Sequence, residues 1–295
     1  MTKIAVVSGK GGVGKSMLSS SLCLYLSQNQ KIVAVDGDVD APNLHLWLGL
    51  GESWDEEKEI SVFEKPVFDL GKCTGCGRCA QICAFGALEM KKGQPNLNRF
   101  ICEGCGACEE ICPVGAIKMK PVGGAKIRIK KDAGGFPLFS AQLYPGQTGS
   151  GKVVDQILNR AEHFFYQTMV IDAPAGTGCP VIAVLKEADF VILVTEPTPS
   201  GFTDLKRALG VVDHFGLPFG VVVNKWDLNP SYVKKIVHFA GQNFLGKISY
   251  NQKIFSALAN LEPIMTTDLP TKQEMKKIFL RLLDRLARPL ITRLC

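Results

Sequence analysis

Two sets of residues in this 295-residue chain have types and spacings that can do chemistry. The first is Gly9-Lys10-Gly11-Gly12-Val13-Gly14-Lys15-Ser16, directly after the apolar run Ile4-Ala5-Val6-Val7. It matches G-x-x-x-x-G-K-[ST] in full. A buried strand that ends in a glycine-rich turn and opens a helix wraps backbone N–H groups and the positive helix end round an anion. In such a cradle Lys15 reaches the β- and γ-phosphates of a nucleotide and the Ser16 hydroxyl binds Mg²⁺. Gly11, Gly12, Val13, Gly14 and Met17 are the remaining expected contacts of this loop. The second set is a pair of cysteine runs, Cys73-x2-Cys76-x2-Cys79-x3-Cys83 and Cys102-x2-Cys105-x2-Cys108-x3-Cys112-Pro113. Thiolates are ligands for soft metals, and this density in a chain of eleven cysteines points to metal rather than to disulfides. Zinc sites generally use two separated pairs of ligands, which two runs of four exceed.

The elements that must hold these groups are legible around them. Lys15 to Gln28 reads as a helix with Leu18, Leu22, Tyr25 and Leu26 on one face. Lys31 to Val35 reads as a buried parallel strand ending in Asp36-Gly37-Asp38, and Thr168 to Ile171 as another ending in Asp172. Carboxylates at the carboxyl ends of parallel strands face the crevice where open α/β sheets bind ligands. Asp172 fits the Walker B position, holding Mg²⁺ through water opposite Ser16. Asp189 to Thr195 and Phe219 to Val223 are further strands, the latter running into Asn224-Lys225-Trp226-Asp227. An N-K-x-D run is also the guanine-reading motif of GTPases, so that motif alone leaves ATP and GTP both open. Gly149-Ser150-Gly151-Lys152 imitates a phosphate loop without its strand or glycine spacing, and reads as a helix start near the active site. Residues 271–294 read as a final amphipathic helix, with Met275, Ile278, Phe279, Leu282, Leu283, Leu286 and Leu290 along one stripe.

Lys10, the second lysine of the phosphate loop, makes it resemble the deviant Walker A motif of the MinD/ParA superfamily, which includes the nitrogenase iron protein and the Mrp-type cluster carriers. Val39-Asp40-Ala41-Pro42-Asn43-Leu44 looks most like the Mrp branch, and Asp172-Ala173-Pro174-Ala175-Gly176 resembles the superfamily's switch segment. The resemblance implies a doubly wound, mostly parallel α/β sheet and a nucleotide-sandwich homodimer, or a pair with a homologous ATPase, in which Lys10 touches the other subunit's nucleotide. It implies that Asp38 positions the attacking water and neighbours Mg²⁺, that Gly176 senses the γ-phosphate, that Asn224 contacts adenine, and that ATP is the nucleotide. Cys179 resembles in position a cluster-binding cysteine near the two-fold axis of the nitrogenase iron protein, which makes it a candidate dimer-axis thiol, although no second cysteine accompanies it.

The cysteine runs form a pseudo-repeat offset by 29 residues, with nine of sixteen positions identical between Cys73–Leu88 and Cys102–Ile117. They resemble a bacterial two-cluster ferredoxin, in which the fourth cysteine of each run ligates the other cluster. That resemblance implies one [4Fe–4S] cluster on Cys73, Cys76, Cys79 and Cys112, and a second on Cys102, Cys105, Cys108 and Cys83. Ala84 stands where a proline usually follows the fourth cysteine, which removes no ligand. The expected organisation is a P-loop ATPase domain over 1–57 and 124–295, interrupted by a small α+β ferredoxin-type domain over 58–123 whose repeats span about 64–93 and 94–123. The function implied is an ATP-hydrolysing switch that carries electrons to a redox partner protein or assists metallocluster assembly. The alternative is a MinD/ParA-like positioning ATPase whose ferredoxin insert senses redox state.

Bulk properties narrow the classes. Hydrophobic residues make up 46% and charged residues 21%, ordinary for a soluble globular protein. The net charge of +6 invites nucleic acid, but +5 of it falls between residues 272 and 293, where seven Lys/Arg face two acids. One basic helix without interleaved aromatics is not a nucleic-acid face, and each oxidised cluster would subtract about two charges. No apolar run has the length of a membrane span, and the chain opens directly on its first strand, so a cytoplasmic protein is expected. The basic tail leaves contact with a membrane surface as the less favoured use of the final helix. Cys23 and Cys295 read as a core residue and an incidental terminus.

Overall fold

Short runs rich in valine and isoleucine, buried on both faces, are the material of parallel strands; the longer segments between them supply covering helices. A computed structural model describes residues 1–147 and 149–287. Along the chain come β1 (Thr2–Ser8), α1 (Lys15–Leu26), β2 (Ile32–Asp36), α2 (Leu44–Trp47), β3 (Glu56–Phe68), α3 (Arg78–Ile82), β4 (Leu88–Lys91), β5 (Gln94–Leu97), α4 (Ala107–Glu110) and β6 (Ile117–Lys130). Then follow β7 (Leu138–Leu143), α5 (Ser150–Glu162), β8 (Thr168–Ala175), α6 (Cys179–Glu187), β9 (Phe190–Thr195) and α7 (Pro199–His214). The rest is β10 (Phe219–Asn224), α8 (Pro230–Ala240), β11 (Phe244–Ile248), α9 (Lys253–Ala259) and α10 (Pro270–Leu286).

Nine strands form one sheet in the order β11-β10-β9-β1-β8-β2-β7-β6-β3, and β4 and β5 form a separate hairpin. The seven strands from β11 to β7 are parallel, whereas β6 runs antiparallel to β7 and β3 antiparallel to β6. Alternation along the strands divides the core in two. Val7, Val33, Val35, Ile171 and Leu193 point to the face covered by α5, α6, α7 and α8. Ile4, Val6, Ala34, Val170 and Ile192 point to the face covered by α1 and α10.

The helix expected over 271–294 is α10 as far as Leu286, and Leu290 and Cys295 lie outside the described residues. Its Met275, Ile278, Phe279 and Leu282 are buried against the sheet. Arg281 donates to the Leu245 carbonyl at 2.9 Å, tying its polar side to β11 as well. The apolar stripe that a membrane would need is therefore already used by the core. Among the described residues no helix is long and apolar enough to cross a membrane.

The expected limits of the insertion, 58 and 123, fall inside two continuous strands. β6 pairs with β7 only over residues 125–130, and its first half pairs with β3 alone. The two strands therefore leave the main sheet as a two-stranded arm that carries the cysteine segment. The register slips at Ile60, Ser61 and Phe63, opposite Gly123 and Gly124, just where the arm departs. Bulges of this kind bend a ribbon and raise its twist.

Candidate functional site

The glycine-rich loop follows β1 and delivers the chain into α1. Gly12 and Gly14 have φ of 75° and 91°, which side-chain-bearing residues adopt only with strain. Gly11, Gly12, Gly14, Lys15, Ser16 and Met17 line one end of a cavity of about 360 Å³, of the size that holds a small ligand. Val13 is buried instead, and its carbonyl accepts a 2.8 Å hydrogen bond from Asn224 Nδ2. Asn224, at the end of β10, also lines the cavity.

Acids crowd the phosphate end. Asp36 and Asp172 are register neighbours on β2 and β8, and both are completely buried. Lys15 Nζ lies 3.2 Å from Asp172 Oδ1, and Ser19 Oγ donates to the same oxygen at 2.7 Å. Among the described residues Asp172 Oδ2 is buried without a hydrogen-bond partner. Burial, followed by the charge of Asp172, pushes the Asp36 carboxyl up to about 8. Its oxygens accept from the backbone N–H groups of Asp38 (3.2 Å) and Leu44 (2.9 Å), which fixes the turn that follows. Asp38 lines the cavity, and burial raises its pKa while Lys15 pulls the other way. Three carboxyl groups thus face one lysine, with an orphaned oxygen among them. Such an arrangement has room in its charge balance for a divalent cation beside Ser16.

Opposite them, Lys10 is paired with Glu196 of its own chain and lies 3.4 Å from Ser200 Oγ. Lys225, held at φ 54°, reaches Glu196 at 3.4 Å and the Gly12 carbonyl at 3.1 Å. Burial alone would raise the Glu196 carboxyl; these two ammonium groups more than reverse it and hold the group below the ordinary carboxylate range. The Gly176 N–H donates to the Ser8 carbonyl at 2.9 Å, closing the segment after β8 onto the end of β1. Cys179 is exposed at the first turn of α6, and a Cβ added at Gly151 would stand 3.3 Å from its carbonyl oxygen. The starts of α5 and α6 therefore abut, and Gly149-Ser150-Gly151-Lys152 does open a helix.

At the far end of the arm the eight clustered cysteines divide into two groups. Cys73, Cys76, Cys79 and Cys112 line one small cavity, and Cys83, Cys102, Cys105 and Cys108 line another. The division crosses the linear order of the runs. The backbone repeats with the 29-residue offset: Gly75, Gly77 and Gly86 have φ of 70°, 74° and 63°, and Gly104, Gly106 and Gly115 have 64°, 79° and 60°. The Ala87 N–H donates to Cys83 Sγ at 3.3 Å, and the Ala116 N–H to Cys112 Sγ at 3.2 Å. Strand pairing repeats as well, with Leu88↔Leu97 and Met90↔Pro95 mirrored by Ile117↔Phe68 and Met119↔Pro66. Cys79, Cys108, Leu88 and Ile117 make the shared core between the cavities. The Cys76 thiol is held below its usual pKa chiefly by the Arg78 backbone N–H, with help from the Thr74 hydroxyl and the Arg78 charge. Among the described residues no three His, Cys, Asp or Glu side chains close on a point that would hold a single metal ion. Thiolates on the corners of a cube stand further apart than thiolates on one ion, so this spacing is no obstacle to a cluster.

The family model for the CobQ/CobB/MinD/ParA nucleotide-binding domain matches residues 4–264. The chain belongs to that family. It is 39% identical over 238 residues to an uncharacterized protein of Methanocaldococcus jannaschii, covering 80% of this chain and 83% of the other. It is 22% identical over 303 residues to an iron-sulfur cluster carrier protein of Methanococcus maripaludis, covering 97% and 86% of the two chains. Among solved structures, the septum site-determining protein MinD of Pyrococcus horikoshii, complexed with Mg-ADP, superposes with a TM-score of 0.60 at 19% identity over 97% of each chain, a likeness of fold.

In this MinD/ParA-type chain the fold brings Lys15, Ser16, Met17, Asp38 and Asn224 to one cavity, places Asp172 directly behind Lys15, and leaves Lys10, Gly176 and Cys179 outside the lining. Sequence reasoning missed the other end. Asn43, Leu46 and Trp47 from the α2 segment, and Tyr250, Ile254, Phe255 and Leu258 around α9, complete the cavity. Apart from Asn43, which belongs to the Val39–Leu44 segment, these residues carry no motif; only their apolar and aromatic character, in short segments following β2 and β11, hints at the wall of a base pocket. Asp227 is not part of the lining, because its Oδ1 accepts the Tyr250 N–H at 2.7 Å.

Proposed function

We propose that this chain is an ATP-binding and ATP-hydrolysing dimeric switch that carries two [4Fe–4S] clusters in a ferredoxin-type insert, and acts in electron transfer or metallocluster assembly. The observation that carries the reading is the division of the eight cysteines into two crossed groups of four, repeated in backbone and strand register at the 29-residue offset. A phosphate loop and an acid-rich phosphate end on the same chain supply the nucleotide half.

The loop N–H groups and Lys15 would hold the phosphates, and Ser16 with Asp172 would hold Mg²⁺, which would supply neutralisation of phosphate charge. Lys15 would leave Asp172 for the phosphates, freeing that carboxylate. Asp38, facing the cavity, orients the attacking water. Lys10 is held in reserve by Glu196, and sandwich dimerisation would transfer its ammonium to the partner's nucleotide, where spreading phosphate charge rewards an added cation. Separation of Gly176 from the Ser8 carbonyl would free its N–H for the γ-phosphate. The engagement of Asp227 with Tyr250 favours adenine over guanine, since the base-pairing aspartate of an N-K-x-D site must be free. Bound clusters would supply one-electron storage at low potential. The buried stripe of α10 gives contact with a membrane surface no support, while the alternative, a MinD/ParA-like positioning ATPase with a redox-sensing insert, shares the nucleotide half of this reading.

An anaerobic preparation assayed for iron, sulfide, ATP hydrolysis and ATP-dependent dimerisation tests the reading. About eight irons and eight sulfides per chain, with turnover and dimerisation both lost in Lys10→Ala, are the expected results. Zinc in place of iron, or equal dimerisation of variant and parent, would overturn the corresponding half.

A further inference from the structure

The two cysteine cavities are near copies, which makes their differences readable. At the 29-residue offset Pro66 matches Pro95, Met119 matches Met90, Ala87 matches Ala116, and Leu88 matches Ile117; each pair lines the two cavities equivalently or packs between them. Both cavities receive one backbone N–H to the sulfur of a crossing cysteine, at nearly equal lengths. Two equivalent positions break the symmetry in charge. Where one cavity has Thr74 and Arg78, the other has Glu103 and Ala107. The walls therefore differ by two unit charges. Among the described residues neither Arg78 nor Glu103 has an ion-pair partner to cancel it, whereas the nearby Glu89, Glu109 and Asp69 are each paired with a lysine.

The cavities also differ in place. Gly75 packs against the Gly93 carbonyl at the tip of the β4–β5 hairpin, where an added Cβ would come within 2.7 Å. Gly104, its counterpart, packs against the Glu64 carbonyl on the arm. Phe100, two residues before Cys102, sits against Gly146 in the turn that precedes α5, and Lys65 of the arm donates to the Arg99 carbonyl. The Glu103 cavity is thus the inner one, against the nucleotide-binding sheet, and the Arg78 cavity is the outer one.

Resting on the cluster reading above, we propose that the two cavities hold their clusters at different reduction potentials, and that the outer one, walled by Arg78, takes the first electron. Adding an electron makes a cluster more negative. A nearby guanidinium stabilises that product and a nearby carboxylate opposes it, because the potential depends on net charge and on hydrogen bonds to sulfur. The resting electron is therefore stored away from the phosphate loop, and moving it to the inner cavity is uphill. Arg78 and Glu103 are both exposed, so their effect must shrink as salt screens it.

The test is an equilibrium redox titration of the full chain, loaded anaerobically with iron and sulfide, followed by absorbance and by paramagnetic resonance, with dithionite as the reductant. Two separate reduction steps are expected at low ionic strength, drawing together in high salt. Arg78→Ala should shift the first step to lower potential and leave the second in place, and Glu103→Thr should raise the second alone. The double change Thr74→Glu with Arg78→Ala should merge or invert the order. Coincident steps at low salt, or an Arg78→Ala change that moves only the second step, would overturn the proposal while leaving the cluster reading intact. Failure to bind about eight irons per chain would instead remove the cluster reading, and this inference with it.

Discussion

The nucleotide-binding fold's cavity and the cysteine unit are built on opposite principles. The cavity is asymmetric, assembled from segments as distant as Gly11 and Leu258, and it is electrically incomplete, with Asp36, Asp38 and Asp172 set against Lys15. The cysteine unit is local and two-fold. Its cysteines come from a short stretch, and the glycine conformations and strand register of one half are repeated in the other. A site that must respond to its ligand benefits from unbalanced charge, because binding then changes which contacts are favourable. A site that must hold a cofactor through many cycles benefits from closure and from backbone donors that do not move.

The largest separation of the two regions is expected from Lys15→Ala. Removing a charge-assisted hydrogen-bond donor to phosphate should weaken nucleotide binding by about 10- to 100-fold. Iron content should not change, since Lys15 lines neither cysteine cavity. Calorimetric nucleotide titration alongside an iron assay checks both statements; a fall in iron would show that the regions are not independent. The reciprocal change is Cys112→Ser. Although Cys112 belongs to the second run, it lines the cavity of Cys73, Cys76 and Cys79. The variant should therefore lose the outer cluster, about half the iron, and keep the Cys102 cavity loaded. Loss of the inner cluster instead would break the crossed assignment.

These contrasts explain what was legible in the sequence. Gly11 to Ser16 and Asp172 could be brought to one place from residue type and spacing in short segments, and Asp38 and Asn224 from the resemblance to the MinD/ParA superfamily; the fold gathers them at or behind one cavity. The eight cysteines fall into the two crossed groups of four that their ferredoxin-like spacing suggested, and the 29-residue offset recurs in the pairing of β3 with β6. Trp47, Tyr250 and Phe255 could not be read, because a wall for a flat base is satisfied by many apolar side chains and carries no spacing rule. Nor was the cis pairing of Lys10 with Glu196 legible, since it joins residues from β1's loop and the end of β9 that only the folded sheet brings together. The arm was half legible. The cysteine repeat announced an insertion over 58–123, but nothing in it showed that β3 and β6 run unbroken from the main sheet into the cysteine unit.

A third prediction concerns the charge imbalance itself. Asp36 has a folded pKa of about 8, raised by burial and by Asp172, against an ordinary value near 3.8. The fold therefore binds this proton more tightly than the unfolded chain does. Stability of the nucleotide-free protein should fall as pH rises from about 4 to about 8, by an amount on the order of a few kcal/mol, and level off above that window. Asp36→Asn should flatten the profile, and Mg-nucleotide should flatten it in the parent by neutralising the same cluster. Denaturant unfolding across this range checks it; a parent profile that rises with pH would show that Asp36 is ionised and compensated by groups other than Lys15.

The smallest effect is expected at Asp227, and its smallness is informative. In a guanine site this aspartate would carry the base contact, and its loss would abolish binding. Here its carboxylate is occupied by the Tyr250 N–H, which positions one wall of the cavity without entering it. Asp227→Asn keeps an acceptor oxygen of the same shape, so the Tyr250 bond survives and ATP affinity should change by less than about threefold, corresponding to well under 1 kcal/mol. GTP should bind weakly to both proteins. A large loss of nucleotide affinity in the variant, with GTP preferred by the parent, would mean that the α9 wall opens on binding and releases the aspartate to the base, so that the asymmetric end of the cavity, and not the phosphate loop, selects the ligand.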